Sequence, residues 1–265
     1  DQGYWPDGLY TAPSDEALIY DIQTMKNLGF NMIRKHVKVE TARWYYHCDR
    51  LGMIVWQDMV NGGTYNAPFM TWLPALFPKF KLHTSDRIHP LFGRKNVHGR
   101  EEFIRECKET VTALKAFPCI STWVIFNEGW GQFDSKKLTA LFRELDDTRL
   151  IDSASGWFDR RQGDFKSEHN YFAKQFVTPT DRAFVISEYG GYTCQVKGHT
   201  YSGKTYGYKI CPSPEEFQAA YYKLMSEEIE PLKEQGLCGA VYTQLSDIED
   251  EINGLMTYDR EVCKL

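Results

Sequence analysis

The sequence lacks the features that mark several classes of protein. Its 265 residues carry a formal net charge of -5 at pH 7, with acids and bases interspersed, so no basic face for nucleic acid and no polybasic membrane patch is present. No apolar run approaches the roughly 20 residues needed to span a bilayer. No G-x-G-x-x-G or G-x-x-x-x-G-K-[ST] motif follows a candidate strand, which removes the usual phosphate-binding loops. We therefore expect neither nucleic acid nor membrane as a partner.

Metal and disulfide signatures are missing as well. The seven cysteines are odd in number and contain no C-x-x-C pair, and the acids and histidines form no H-x-x-x-H or other compact ligand set. We predict no cofactor and no metal site. Cys194 and Cys211 bracket one loop, and two alternatives stay open for them: a disulfide in an exported protein, or two free thiols.

The first residues also lack a targeting signal. Asp1 to Tyr4 provide neither the charged nor the apolar segment of a signal peptide. The chain starts without Met inside a loop rich in Gly, Pro and aromatics. We expect an excerpt of a longer, soluble protein, with a periplasmic or extracellular location favoured over a cytoplasmic one.

Short β-rich runs recur along the chain, and the segments between them show helical patterns. These helices are recognisable from their apolar spacing, from Ser14, Thr41 and Ser213 at their starts and from glycines near their ends. Regular β/α alternation predicts a parallel sheet, either open and doubly wound or closed as a (β/α)₈ barrel. The candidate strands are 30–36, 53–58, 121–128, 150–157, 164–171, 183–189 and 239–247.

The positions of the polar residues favour the barrel. Polar side chains stand at the carboxyl end of almost every candidate strand, and TIM barrel enzymes build their active sites at that rim. The long segments 59–99 and 190–212 follow two of the strands and are expected to wall a cleft there. Seven strands indicate that the first of eight lies upstream of Asp1, or that one strand escapes the pattern. The predicted fold is thus an α/β (β/α)₈ TIM barrel lacking its first strand.

Two acids end candidate strands whose other residues are apolar. Glu128 closes the run S-T-W-V-I-F-N-E, and Glu188 closes the run A-F-V-I-S-E. An ionised carboxylate is costly to bury, so an acid at the end of such a strand is paired, solvated or functional. Two carboxylates facing each other across a barrel mouth meet the requirement for hydrolysis of a glycosidic bond. One protonates the leaving oxygen, and the other attacks the sugar or activates water.

The residues around these acids are distinctive. Residues 123–128 (W-V-I-F-N-E) resemble the W-x-x-x-N-E acid/base motif of glycoside hydrolase family 2, and residues 185–191 (V-I-S-E-Y-G-G) resemble its S-E-Y-G nucleophile motif. Further matches lie in the family's order. Residues 29–36 are similar to the second strand, whose Arg and His reach the sugar site, 51–58 to the third strand, and 253–260 to the segment after the last strand.

The resemblance implies a domain organisation and an activity. Residues 1–265 would form one domain, the catalytic barrel of a retaining exo-β-glycosidase closest in character to the β-galactosidases. Glu128 would be the general acid/base and Glu188 the nucleophile. The substrate would be a carbohydrate, and β-sandwich domains would flank the barrel on both sides in the parent chain.

Other side chains at the rim are candidates for binding the sugar. Asn127 can hydrogen-bond the sugar 2-hydroxyl, a contact that strengthens in the transition state. Tyr171 can donate to Glu188 and keep it ionised, although a packing role at the rim is an equal alternative. Trp157 offers a stacking face, whereas Trp123 lies inside a strand and is expected to pack in the barrel. The predicted substrate-binding residues are Asn127, His36, Tyr171, Asp58, His169, Trp157 and Asp247.

The chain also departs from the family pattern. Thr243 or Gln244 stands where many relatives carry a Trp that floors the sugar subsite, so Trp72 or Trp157 would have to replace it. The family's glucuronidases carry a Lys where this chain has Leu255, and a buried sugar carboxylate would then lack its cation. Two alternatives to a β-galactosidase stay open: the same chemistry on a β-mannoside, β-glucuronide or β-arabinoside, and a carbohydrate-binding barrel that has lost catalysis.

Overall fold

Strands and helices alternate up to residue 152 as the sequence predicts, whereas the strands between residues 150 and 211 follow one another without a helix. The computed structural model describes residues 1–64, 68–76 and 85–265, without the side chains of residues 71, 72, 75 and 76. Its strands are β1 (Met32–Lys35), β2 (Ile54–Asp58), β3 (Ile120–Val124), β4 (Leu150–Asp152), β5 (Phe165–Asn170), β6 (Ala183–Gly190), β7 (Tyr192–Cys194), β8 (Lys209–Cys211) and β9 (Leu237–Thr243).

One helix precedes β1, and the others lie between successive strands from β1 to β4 and between β8 and β9. Three of them begin at the side-chain caps expected from the sequence or from helix chemistry: Ser14 accepts from the Ala17 amide, Asn96 from the Gly99 amide, and Ser213 from the Glu216 amide. The helices are α1 (Asp15–Asn27), α2 (Ala42–Leu51), a π-helical turn (Pro68–Trp72) leading into α3 (Leu73–Leu76), α4 (Val97–Leu114), α5 (Ser135–Leu145), α6 (Pro214–Leu224), a second π-helical turn (Met225–Ile229) and α7 (Glu230–Lys233).

None of the helices in the described ranges is both long and apolar enough to cross a bilayer.

All the strands pair in parallel, but they form two main sheets instead of one closed barrel. The first sheet has the order β1-β2-β3-β4 and the second the order β5-β6-β9, while β7 and β8 form a separate ladder. Within the described ranges no ladder joins β4 to β5 or β9 to β1. The predicted parallel α/β architecture is therefore present with two interruptions, of which the sequence anticipated one.

The interruption beside β4 has a physical cause. The Asp164 amide donates to the Ile151 carbonyl at 2.8 Å, and the Ile151 amide donates to the Asp164 carboxylate at 2.7 Å. The loop before β5 thereby occupies hydrogen-bonding groups of β4 that a neighbouring strand would use. Beyond the three residues of β4, the chain continues irregularly and not as a strand to residue 157.

Three apolar clusters fill the molecule. The largest packs the helices against the outer faces of the strands. A small cluster of Trp56, Val124, Phe165 and Val185 draws on both sheets. A third cluster lies under the segment that follows β2 and consists of Met70, Phe92, Trp157 and Phe158. Because this second cluster is small, polar residues occupy the space between the sheets near the carboxyl ends of the strands.

The two cysteines that bracket the second long loop lie side by side. Cys194 in β7 and Cys211 in β8 are register partners. Both are buried, and both are free thiols. The loop between them is therefore closed at its base by a short parallel ladder.

Candidate active site

Glu128 and Glu188 converge at the carboxyl ends of the strands. Glu188 lies within β6, whereas Glu128 follows β3 after an irregular stretch and has a positive φ of 53°. Its amide donates to the Ser155 carbonyl at 3.0 Å, which fixes this turn against the segment after β4. One carboxylate oxygen of each acid and Nδ1 of His169 all lie within 4.8 Å of one another. The side chains are 24% and 13% exposed, so both acids are partly accessible to a ligand.

Arg34 connects the two sheets beneath these acids. Its guanidinium forms a two-pronged salt bridge with Asp58, with Nε and Nη2 each 2.9 Å from a carboxylate oxygen. Nη1 donates to Glu188 at 2.9 Å and Nη2 donates to the Asn127 side-chain oxygen at 2.7 Å. Burial opposes the charge of Asp58, but Arg34 and His36 outweigh it and lower the pKa of Asp58 to about 2. The sequence presented Arg34 as part of a motif, and the structure gives it this central position.

Glu188 is held in its ionised form. The Tyr171 hydroxyl donates to Oε2 of Glu188, as predicted, while Arg34 donates to Oε1. Burial alone would raise the pKa of Glu188, but the charges of His169, Arg34 and His36 and the bond from Tyr171 lower it to about 2. An ionised carboxylate with its charge directed into a cleft is suited to act as a nucleophile.

Glu128 shares a hydrogen bond with a buried histidine. Nδ1 of His169 lies 2.8 Å from Oε1 of Glu128, and Nε2 lies 3.1 Å from the Ser155 hydroxyl. Ser155 donates its own proton to Ser187 at 2.8 Å, so it accepts from His169. Glu128 is thus positioned at the edge of the cleft by a buried imidazole.

Asn127 and His36 present free polar atoms to the cleft. The Asn127 oxygen accepts from Arg34, which leaves its amide nitrogen without a partner among the described residues. His36 is held through Nδ1, 3.2 Å from Asp58, and its side chain is 28% exposed. Both side chains can therefore bind hydroxyl groups of a ligand.

Asp58 and His169 support the cleft from behind. Both are buried, and neither lines the cleft. Asp58 orients Arg34 and His36, and His169 bonds to Glu128. We predicted that Asp58 and His169 contact the substrate. The structure instead places them behind the residues that line the cleft, because their polar atoms are bonded to neighbouring side chains.

Trp157 and Asp247 lie away from the cleft. The Trp157 indole donates to the His169 carbonyl at 3.2 Å and packs in the third apolar cluster, so it does not provide a sugar platform. Asp247 is completely buried, and Lys264 donates to both of its oxygens at 2.7 and 2.9 Å. The prediction that Trp157 and Asp247 bind the substrate is therefore corrected: both pack against or bond to other residues of the chain. Trp123 is buried as expected, and the side chain of Trp72 lies outside the described residues.

The cleft itself has a volume of about 240 Å³. Tyr208, from the loop before β8, stacks on Tyr171 with ring centroids 3.9 Å apart and forms one wall. Sequence reasoning missed Tyr208, Gln2 and Glu251, because they come from segments without a strand or motif pattern. Glu128, His169 and Glu188 could offer ligand atoms to a cation, because one such atom from each lies within 4.8 Å of the others. The other lining residues include Gln2, Arg34, His36, Asn127, Thr243, Gln244 and Glu251.

Comparison with known proteins identifies related sequences and folds. Residues 12–262 match the family described as glycosyl hydrolases family 2, TIM barrel domain. A β-galactosidase of Priestia megaterium is 25% identical over 176 residues, which cover 63% of this chain and 14% of the relative.

Solved structures share the fold at lower sequence identity. A β-galacturonidase from Eisenbergiella tayi bound to galacturonate has a TM-score of 0.66 and 16% identity, covering 97% of this chain and 47% of that one. A β-glucuronidase from Parabacteroides merdae has a TM-score of 0.61 and 14% identity, covering 97% and 34%. The chain thus spans less than half of each relative.

Proposed function

The chain belongs to glycosyl hydrolase family 2, and we propose that it is the catalytic barrel of a retaining exo-β-glycosidase that works by double displacement. The observation that carries this proposal is the approach of the two acids, whose nearest oxygens lie within 4.8 Å. Retaining glycosidases hold their carboxyl groups about 5 to 5.5 Å apart, whereas inverting ones need about 6.5 to 9.5 Å to admit a water. The close approach supports direct attack by a carboxylate.

The environments of the acids support different roles for them. Glu188, kept ionised by Arg34 and Tyr171, attacks the anomeric carbon and forms the glycosyl-enzyme. Glu128, held against His169, protonates the departing oxygen and then activates water for the second step. Asn127 donates from its free amide to the sugar 2-hydroxyl.

For the sugar we propose a terminal, non-reducing β-galactoside. The β-galactosidase relative supports this choice, and Leu255 occupies the position of the lysine found in the family's glucuronidases. Leu255 is buried in the main apolar cluster, so this position provides no cation to the cleft. The same chemistry on a β-mannoside, β-glucuronide or β-arabinoside is the alternative.

The parent protein is proposed to carry β-sandwich domains on both sides of the barrel, in a periplasmic or extracellular location. Its relatives are more than twice as long as the part they share with this chain. Activity is therefore best measured on the full-length protein.

The test is a panel of nitrophenyl β-glycosides with the full-length protein, followed by NMR of the first-formed anomer. We expect turnover of the galactoside with release of the β-anomer. Release of the α-anomer would contradict a retaining mechanism. Binding of sugars without turnover of any glycoside would instead indicate a carbohydrate-binding barrel.

A further inference from the structure

The wall of the cleft beside β9 is lined by a chain of neutral and acidic polar groups. Gln2 donates from its amide to Gln244 at 2.9 Å and to Oε2 of Glu251 at 3.3 Å. Gln244 in turn donates to the buried Asn253 at 2.7 Å, and Asn253 donates to Oε1 of Glu251 at 3.4 Å. Gln2, Gln244 and Glu251 all line the same cleft as Glu128 and Glu188. This wall therefore belongs to the space that a ligand of the two acids would fill.

The hydrogen bonds made to Glu251 leave it short of partners. Both are longer than the usual 2.7 to 2.9 Å of charge-assisted bonds, and each carboxylate oxygen can accept more than one donor. Burial raises the pKa of Glu251 by more than its hydrogen bonds and the nearby charge of His36 lower it. A ligand that donates hydrogen bonds here would satisfy the carboxylate.

The positive charges near the cleft are already engaged. Arg34 is bonded to Asp58 and Glu188, and His36 is oriented by Asp58. Among the described residues, no lysine lines this cleft. Lys35 and Lys38, the neighbours of His36, bond instead to Glu40. A sugar carboxylate placed against this wall would meet Glu251, and the part of the chain that the structure describes offers no unengaged lysine or arginine there to offset the repulsion.

We infer that Glu251 selects the sugar by accepting hydrogen bonds from hydroxyl groups of a neutral hexose and excluding a uronic acid. This inference rests on the proposed function and adds to it a residue that determines substrate class. Glu251 is a binding residue here and takes no part in bond cleavage. Such selectivity would set this chain apart from the β-galacturonidase and the β-glucuronidase whose folds it shares.

The experiment compares matched substrates in the full-length protein. The nitrophenyl β-galactoside and β-galacturonide differ at C6 alone, as do the corresponding glucoside and glucuronide. The variants are Glu251→Gln, which keeps shape and removes charge, and Glu251→Lys, which reverses the charge. Glu261→Gln and Glu261→Lys are the controls, because Glu261 is an exposed acid outside the cleft.

We expect the wild type to favour the neutral sugar of each pair. Glu251→Gln should lower kcat/KM for the neutral sugar about 10- to 100-fold, as for loss of a charge-assisted hydrogen bond. Glu251→Lys should shift the ratio of kcat/KM toward the uronide about 100-fold or more. Both Glu261 variants should match the wild type. Preference of the wild type for a uronide, or less than a threefold effect of Glu251→Gln, would overturn the inference.

Failure of the proposed function can be recognised separately. If no glycoside is turned over, binding of galactose and galacturonate is measured by calorimetry on the same variants. Preference for galactose that Glu251→Lys inverts would support the role of Glu251 without catalysis. Equal binding by wild type and Glu251→Lys would overturn it.

Discussion

Nδ1 of His169 lies 2.8 Å from Glu128 and 3.5 Å from Glu188, so one buried imidazole faces both acids. Glu128 follows β3 of the first sheet, whereas His169 and Glu188 lie in β5 and β6 of the other sheet. The imidazole thereby links the two acids across the gap between the sheets. The role of this imidazole can be examined with substrates whose leaving groups need protonation to different degrees.

We predict that His169→Phe impairs the protonation step selectively. Loss of Nδ1 leaves Glu128 without the partner that orients its carboxyl group. For a substrate with a poor leaving group, such as a methyl glycoside, kcat/KM should therefore fall about 10²- to 10³-fold. A dinitrophenolate, which departs unprotonated, should lose about tenfold or less. The measurement is the slope of log kcat/KM against leaving-group basicity. His169→Asn, which retains a donor near Nδ1, should restore part of the loss, and a uniform loss with every leaving group would contradict this role.

The two acids should respond differently to azide. In Glu128→Gln the glycosyl-enzyme forms from an activated substrate but lacks its general base, so it accumulates until azide attacks and yields a β-glycosyl azide. Azide should increase the turnover rate of this variant by a factor within the roughly 10²- to 10⁴-fold range that acid–base assistance contributes. Glu188→Gln should show almost no turnover because nothing else attacks the anomeric carbon. An α-glycosyl azide from the Glu188 variant, with no rescue of the Glu128 variant, would reverse the assignment.

Tyr171→Phe should make activity sensitive to acid. The hydroxyl of Tyr171 is one of the groups that lower the pKa of Glu188 to about 2. A carboxyl group with a depressed pKa stays ionised until the pH falls to that value, so removal of a donor raises the pKa and brings protonation into the assay range. The loss in kcat/KM should be larger between about pH 4 and 5 than at pH 7. Tyr46→Phe, at an exposed position on α2, is the control, and a loss independent of pH would argue against this explanation.

Asp247→Ala should reduce stability and leave catalysis intact. The substitution leaves the ammonium group of Lys264 buried without its partner, and breaking such a pair costs about 3 to 5 kcal/mol. Urea denaturation should show this loss, and the double variant Asp247→Leu/Lys264→Met should recover much of it. The kcat/KM per folded molecule should stay within about twofold, because Asp247 does not line the cleft. A large loss of kcat/KM in fully folded protein would instead indicate that Asp247 acts in the active site.

Cys194 and Cys211 should form a disulfide under oxidation. Paired strands lie about 4.7 to 4.9 Å apart, within the roughly 4.4 to 6.8 Å range of Cα separations in disulfides. Burial raises the pKa of both thiols, so the reaction with diamide should accelerate as the pH rises. Mass spectrometry should detect the crosslinked peptides, and Cys211→Ser should abolish them. Full alkylation of both thiols after oxidation would contradict the prediction.

The sequence predicted those parts of the molecule that depend on local patterns. Short β-rich runs located the strands except β7 and β8, and Glu128 and Glu188 were singled out because an acid at the end of an apolar strand is conspicuous. The interruption beside β4 depends on Asp164 bonding to Ile151, which leaves no periodic signal. Asp247 fitted the strand-end pattern, but its partner Lys264 is a tertiary contact that the pattern does not contain. Glu251 and Tyr208 reach the cleft through loops, and loop paths are set by packing.

The gap between the two sheets has a mechanical consequence. Where backbone ladders are absent, side chains tie the sheets together: Arg34 to Glu188, Ser155 to Ser187, and Asp152 to Ser167 at 2.5 Å. The spacing between the acids therefore depends in part on rotatable side chains. A conservative change in one of these ties, such as Ser187→Ala, can alter the alignment of Glu128 with Glu188 without removing any reacting group. The loss of activity caused by substitutions among these bridging side chains would therefore measure how precisely the reaction needs its two carboxylates aligned.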